Sequence, residues 1–360
     1  MNKVISTVVF GGAVFFAAQA FAAEPLSIAR QGFFSAGGVT LSTPGTFDPV
    51  HGQFKPEGQT HHADHAHVFY QVPANGSARP IVFLHGFGQS FAGWQSTPDG
   101  REGWSDLFLR KGYSVYLVDQ PRRGHAGQTS VASPVPTGTQ DQGWYTQFRI
   151  GLWPNAYEGS QFPHDEQSLD QFFRQMTPNT GDFDMKVITA AMAAVFEKTG
   201  PGVLVAHSQG GRPAWDIALA SDNVRAIVAV EPGGGFPFPE GEVPEAIPTN
   251  FAPVKNTPVP LETFKKLISR PIIFYFGDYI PDEPVEIPSR DYWRGVMQMA
   301  YKFAECANKH GGDCTVVHLP KIGITGNDHF IFQDKNNAEV ADHLAAWLKS
   351  KGLDYPTIIF

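Results

Sequence analysis

Residues 203–215 read VLVAHSQGGRPAW. Val203 to Ala206 are wholly apolar, the pattern of a strand buried on both faces of a sheet. The run is broken at Ser208, Gly210 and Gly211, and a helix opens at Arg212-Pro213-Ala214. Pro213 falls in the first helical turn, where backbone N–H groups lack internal partners and proline is tolerated. The spacing fits G-x-S-x-G, a strained strand–turn–helix that lifts a serine clear of a sheet edge, with Ala206 in the first glycine's place. The turn needs small residues two before and two after the serine, and alanine meets that need.

Working outward, apolar or aromatic runs bounded by Pro and Gly recur as HVFYQVP (67–73), RPIVFLHG (79–86), YSVYLVD (113–119), VRAIVAVE (224–231), RPIIFYFGD (270–278) and CTVVHLP (314–320). Helical patterns lie between them, at 104–112, 184–200, from the serine turn to about 221, at about 291–308 and at 337–352. Strands without polar alternation, separated by helices, predict an α/β fold with a mostly parallel central sheet flanked by helices. Two long segments interrupt the alternation. The first, about 120–183, carries GWYTQFRIGLWPNAY, and the second, about 232–269, is rich in Pro and Phe. Both follow the C-terminal end of a strand, where open α/β sheets bind ligands, so both are expected to act as lid or pocket segments.

The chain has 360 residues, 42% hydrophobic and 17% charged, with a net charge of −8 and no Lys/Arg cluster. That balance describes a globular chain and argues against nucleic acid or an anionic membrane as partner. Residues 1–22 read as a signal peptide: a basic Lys3, an apolar stretch, and a small-x-small site at Ala20-Phe21-Ala22. The expected mature chain is a single domain over 23–360, periplasmic or secreted, with no stable membrane insertion after signal removal. In that oxidising setting the only two cysteines, Cys306 and Cys314, are expected to form a disulfide across a short glycine-containing loop. A homodimer is left open.

Serine is a weak nucleophile until an adjacent base, itself oriented by a carboxylate, takes its proton. The base must follow the last strand, and in GITGNDHFIFQDKNN (323–337) His329 is the one histidine. His318 lies inside the preceding strand. His207, next to the serine on a strand, points away from it, and both are read as packing residues. Three carboxylates lie at suitable strand ends: Glu231, Asp278 and Asp282. The stretch THHADHAHVFY (60–70) offers His61, His62, Asp64, His65 and His67, but without a helical or cysteine ligand spacing it reads as a solvated approach to a strand. No metal site is assigned. GGDCTV and GPGVLV do not match phosphate loops, so no cofactor is expected.

HGFG (85–88), AHSQGG (206–211), AVEP (229–232) and GNDHF (326–330), in that order, resemble the α/β-hydrolase superfamily over nearly the whole mature chain. They resemble in particular a group of secreted bacterial esterases with a Ser-His-Glu triad. The resemblance implies Ser208 as nucleophile, His329 as base and Glu231 as its orienting acid, with Asp278 and Asp282 as alternatives. It also implies an oxyanion hole of the Phe87 and Gln209 N–H groups. The group's best-known member has two adjacent cysteines directly after its HG, where this chain has Phe87-Gly88, so properties of that vicinal disulfide do not carry over. The function implied is hydrolysis of small hydrophobic carboxylic esters through an acyl-enzyme, with aromatics near Trp144, Trp153 and Phe236 lining the pocket. Thioesterase, lactonase and amidase chemistry fit the same scaffold, and a non-catalytic binding or metal-binding protein is the alternative of another class.

Overall fold

A computed structural model describes residues 24–76, 78–135 and 140–355, so the expected signal peptide lies outside the described residues. Eight strands form one sheet: β1 (Ile28–Ala36), β2 (Ala66–Pro73), β3 (Ala78–Leu84), β4 (Tyr113–Asp119), β5 (Gly202–His207), β6 (Val224–Val230), β7 (Ile272–Phe276) and β8 (Cys314–His318). Their spatial order is β1-β2-β4-β3-β5-β6-β7-β8. β1 and β2 run antiparallel at one edge, and every pairing from β4 to β8 is parallel. The apolar runs of the sequence mark seven of these strands. β1 escapes such a reading because it is an edge strand with mostly exposed or half-exposed side chains and no continuous apolar signal.

Among the described residues there are eight helices: α1 (Trp104–Arg110), α2 (Asp141–Gln147), α3 (Glu166–Gln175), α4 (Met185–Thr199), α5 (Ala214–Ala220), α6 (Leu261–Ile268), α7 (Pro288–Lys309) and α8 (Asn337–Ser350). Alternate residues of each strand feed two cores, as the pleat requires. Leu204 and Ala206 of β5 pack with Ile188, Met192 and Phe196 of α4 and with Phe303 of α7 on one face. Val203 and Val205 pack with Trp104 and Phe108 of α1 and with Leu344 of α8 on the other. α4 is delimited by its own sequence: the Asp184 carboxylate accepts from the Lys186 and Val187 N–H groups, and Gly200 at φ 74° ends it. Such a cap stabilises a helix by about 1 kcal/mol.

The long segment after β4 is not a bare loop. It holds α2, α3 and a short antiparallel pair, 151–152 with 155–156, and packs over the strand ends. The second segment, after β6, carries a small parallel pair, 237–239 with 257–259, and α6. Phe236, expected near the pocket, is fully buried against Trp215, Phe274 and Phe303 and belongs to the core. Trp153 is 44% exposed and packs edge-on to Tyr145.

The expected Cys306–Cys314 disulfide is absent: both are separate buried thiols. The loop between α7 and β8 is closed by hydrogen bonds instead. Asn308 Nδ2 donates to the Cys314 carbonyl at 2.8 Å, and the Cys314 N–H donates to Asn308 Oδ1 at 2.8 Å. Burial pushes both thiols above their ordinary value.

Part of the histidine-rich stretch has structural partners. Asp64 accepts a two-pronged pair from Arg122 Nε and Nη2, at 2.9 and 3.0 Å, and Ser130 Oγ donates to it as well. His61 bonds the Thr129 carbonyl, and His67 stacks between Phe33 and His125. Asp64 and Arg122 are both buried and both sit at positive φ, 58° and 66°. Their pairing ties the start of β2 to the segment after β4 and holds the Asp64 carboxyl at about 2. Removing one partner of a buried pair strands the other charge. Arg122→Met is therefore expected to lower the urea unfolding free energy by about 3–5 kcal/mol at pH 7. Because the Asp64 value is depressed, that loss should shrink as pH falls through its unfolded range near 4 towards 2.

Candidate active site

Three segments meet at the functional edge of the sheet: the C-terminal ends of β5 and β6 and the loop after β8. In the parallel pairing of β5 with β6, His207 lies opposite Val230, so Ser208 and Glu231 each come one residue beyond a matched pair. Both then turn sharply, with φ 53° at Ser208 and 40° at Glu231. Non-glycine residues rarely adopt this region, and such strain clusters at functional sites.

The glycines around Ser208 are there for want of room. A Cβ on Gly86 would lie 2.7 Å from the Ser208 Cβ, and one on Gly210 would lie 2.4 Å from the His85 carbonyl oxygen. One on Gly211 would lie 2.5 Å from the Pro232 Cβ. A 3-10 turn over 208–211 leads into α5, with Pro213 immediately before the helix. The Gly233 N–H donates to the Ser208 carbonyl at 2.7 Å, fixing the turn against the segment after β6.

His329 arrives from the other side. Its Nδ1 lies 2.6 Å from Glu231 Oε2, and both residues are buried. Glu231 Oε1 accepts from the Gly277 N–H at 2.7 Å and from Arg149 Nη2 at 2.5 Å. Burial alone pushes the Glu231 carboxyl up. The Arg149 charge and the His329 contact together outweigh it and hold the group at about 2, so it is ionised. Burial pulls His329 below its ordinary value, against the opposing pull of Glu231.

Two aromatic rings pack against the imidazole. The Phe148 ring stacks on it at 5.6 Å with 11° between planes, and Trp293 lies 4.5 Å away. The Phe148 carbonyl accepts the His329 N–H at 3.1 Å. Beneath it, His207 Nε2 sits 2.9 Å from the His329 carbonyl oxygen, so the sequence reading of His207 as a packing residue is met in a specific way: it is the floor under the second histidine. Burial keeps His207 well below its ordinary value and therefore neutral.

Of the other two carboxylates, neither reaches His329. Asp278 Oδ2 accepts from the Gly326 N–H at 3.0 Å and Oδ1 from the Tyr279 N–H at 2.7 Å, so it shapes the loop that carries the histidine. Asp282 is exposed and contributes its backbone carbonyl to Gln298. Asp328 faces Asp334 rather than the imidazole: Asp334 Oδ2 accepts the Asp328 N–H, and burial together with the Asp334 charge pushes Asp328 up.

Phe87 and Gln209 lie on the two loops that border Ser208, and the Phe87 N–H has no backbone acceptor among the described residues. Arg123, missed from sequence, links these loops. Its Nη1 donates to the Gly86 carbonyl and its Nη2 to Gln209 Oε1, both at 3.2 Å. Its signal was its position in QPRRGH, a basic pair directly beyond the end of β4. Arg149 was also missed, and a lone arginine in the aromatic run YTQFRIGLW gives no warning that it is buried. Trp144, expected near the pocket, does come to the site, with its ring 4.7 Å from Phe87. Among the described residues one cluster has metal-ligating types close together: Glu242, Cys306 and His310, far along α7. Both Glu242 oxygens there are already engaged, one by Lys309 and one by His310.

Comparison with known proteins identifies the family to which this fold belongs. The chain is 30% identical over 313 residues to a probable secreted lipase, phiG, of Fungal sp. (strain ATCC 74256), an alignment covering 76% of this chain and 82% of that protein. A solved structure of a bacterial esterase superposes with a TM-score of 0.73 at 29% identity, covering 91% of this chain and 98% of that one. Residues 81–352 match the sequence profile of the alpha/beta hydrolase family. The chain belongs to the alpha/beta hydrolase family.

Proposed function

We propose that this hydrolase cleaves carboxylic esters of small hydrophobic substrates through an acyl-enzyme, with Ser208 as nucleophile, His329 as general base and Glu231 as the acid that orients it. The observation that carries the reading is the 2.6 Å contact of His329 Nδ1 with an ionised Glu231, one strand from a serine at φ 53°. With Nδ1–H given to Glu231, the proton-accepting lone pair of His329 is on Nε2, the tautomer a general base needs.

In the first half-reaction Ser208 Oγ attacks the ester carbonyl carbon as its proton passes to His329 Nε2. The carbonyl oxygen becomes an oxyanion, which the Phe87 and Gln209 N–H groups receive. These donors are held in advance by Arg123, so little reorganisation is needed when the charge develops. The imidazolium returns its proton to the departing alkoxide, leaving Ser208 acylated. Water then attacks the acyl carbon with His329 again as base, and collapse releases the acid and frees Ser208. Trp144, Phe148 and Phe87 give the approach an aromatic lining, which supports a hydrophobic substrate. The likeness to a secreted lipase and a bacterial esterase supports ester substrates and action outside the cytoplasm.

Ser208→Ala should lower p-nitrophenyl ester turnover by at least about 10⁴-fold while leaving the circular dichroism spectrum unchanged. Retention of turnover would sink the mechanism. Glu231→Gln should cost about 10³–10⁴-fold, since it removes the charge that holds the tautomer. Asp282→Asn, at an exposed position, should stay within about twofold. Gly86→Ala should press on Ser208 and cost about 10²-fold in kcat/KM, measured alongside thermal unfolding to show that the fold survives. Since burial lowers His329 and only neutral imidazole accepts a proton, the acid limb of kcat/KM should have its midpoint below about 6.5. A midpoint above that value in a pH-stat assay would contradict a base whose proton affinity is lowered by burial.

A further inference from the structure

We infer that Arg149, delivered by the segment after β4, is a positioning residue of the triad: it holds Glu231 Oε1 so that Oε2 is left to His329, and its fixed positive charge opposes protonation of the imidazole. This inference rests on the serine-hydrolase reading of the site.

Three observations converge on this residue. Its guanidinium and Glu231 are both fully buried, and Nη2 meets Oε1 at 2.5 Å while His329 Nδ1 meets Oε2 at 2.6 Å. The carboxylate is thus divided, with one oxygen for Arg149 and Gly277 and the other for the histidine. Second, Arg149 sits at φ 58°, a conformation that strains a non-glycine residue. Third, its Nη1 is buried without a hydrogen-bond partner. Trp293 lies under the guanidinium at 5.6 Å, so the side chain is held from below as well.

A purely structural ion pair explains this poorly. Replacing a buried pair by apolar side chains is often neutral or stabilising, so stability alone gives no reason to keep an arginine that is strained, desolvated and partly unpaired. The triad does give one. A buried Glu231 without a compensating cation would rise towards protonation and lose its hold on the tautomer. The same cation acts on His329 in the opposite sense to Glu231 and limits how basic the imidazole becomes.

Other groups also face this pair. His207 packs under His329 from β5, and His318 looks towards Glu231 from β8. Asp328 and Asp334 approach from the histidine's own loop, and Asp278 from the turn after β7. Burial keeps both histidines below their ordinary value and both of the loop aspartates above theirs, so near neutral pH Arg149 is the one buried group that brings a positive charge against Glu231.

The test uses the rate at which a fluorophosphonate probe labels Ser208, followed against pH in the full-length wild type, Arg149→Met and Arg149→Lys, with Ser208→Ala as blank. Labelling requires the same base but no knowledge of the natural substrate. Arg149→Met should move the acid midpoint of labelling up by about one pH unit, so that the rate below the midpoint falls about tenfold further than at the plateau. Arg149→Lys keeps the charge but not the planar group that reaches Glu231 Oε1 through Nη2 and the Asp278 carbonyl through Nε. It should lower the plateau while leaving the midpoint within about 0.3 unit of wild type. A midpoint unmoved in Arg149→Met overturns the inference, whatever happens to the plateau. If Arg149→Met does not fold, a midpoint in Arg149→Lys displaced as far as a full unit overturns it instead. Absence of Ser208-dependent labelling in the wild type would count against the serine-hydrolase reading itself, a result separable from either variant.

Discussion

The register of β5 against β6 is the constraint on which the rest depends. His207 opposite Val230 brings the last in-sheet residues of two neighbouring strands level, and each strand then breaks within one residue. A shift by one residue would invert the side chains of β5, sending Leu204 and Ala206 to the wrong core. The hydrophobic pattern that decides which helices lie on which face therefore also decides that Ser208 and Glu231 emerge side by side. Chemistry and packing are specified by the same alternation of side chains.

That link explains why so much was legible. Val203–Ala206, Ile227–Val230 and Ile272–Phe276 are buried on both faces, so their continuous apolar runs stand out, and residues just beyond them fall at the functional edge. Ser208 and Glu231 stand out in the sequence as the residues just beyond such runs, and His329 as the one histidine between the last strand and the last helix. What stayed hidden is held by contacts between distant segments. Arg149 and Phe148 lie in an aromatic stretch whose pattern fits core, lid or surface equally, and only the folded chain shows them closing over His329. β1 was hidden for the opposite reason, since an edge strand with exposed faces has no apolar signature. The cysteine pair shows a limit of spacing arguments: a short glycine-containing loop permits a disulfide, but Asn308 closes it without one.

The site concentrates several buried charges in one place. Glu231, Arg149, His329, Asp328 and Asp334 are all buried within one loop cluster. Each isolated charge would be costly there, and the arrangement works by pairing Glu231 with Arg149 while leaving the histidines neutral. Arg123 acts in the same spirit at the neighbouring loops, where a buried cation orients two carbonyl groups, the Gly86 backbone carbonyl and the Gln209 side-chain carbonyl.

The segment between β4 and α4 carries Trp144 at the mouth, Phe148 on the imidazole and Arg149 on the acid, within six residues. On the proposed function, the cap segment and the proton-handling residues are consequently not separable modules. Grafting a different cap onto the scaffold, a usual route to new substrate range, would exchange the electrostatics of the base along with the shape of the pocket. On the same reading, substrate range would be retuned most cleanly at Phe87 and Trp144, whose rings pack on each other rather than on the carboxylate. Divergence of specificity among chains built this way would then proceed by side-chain replacement at the mouth rather than by wholesale loop exchange.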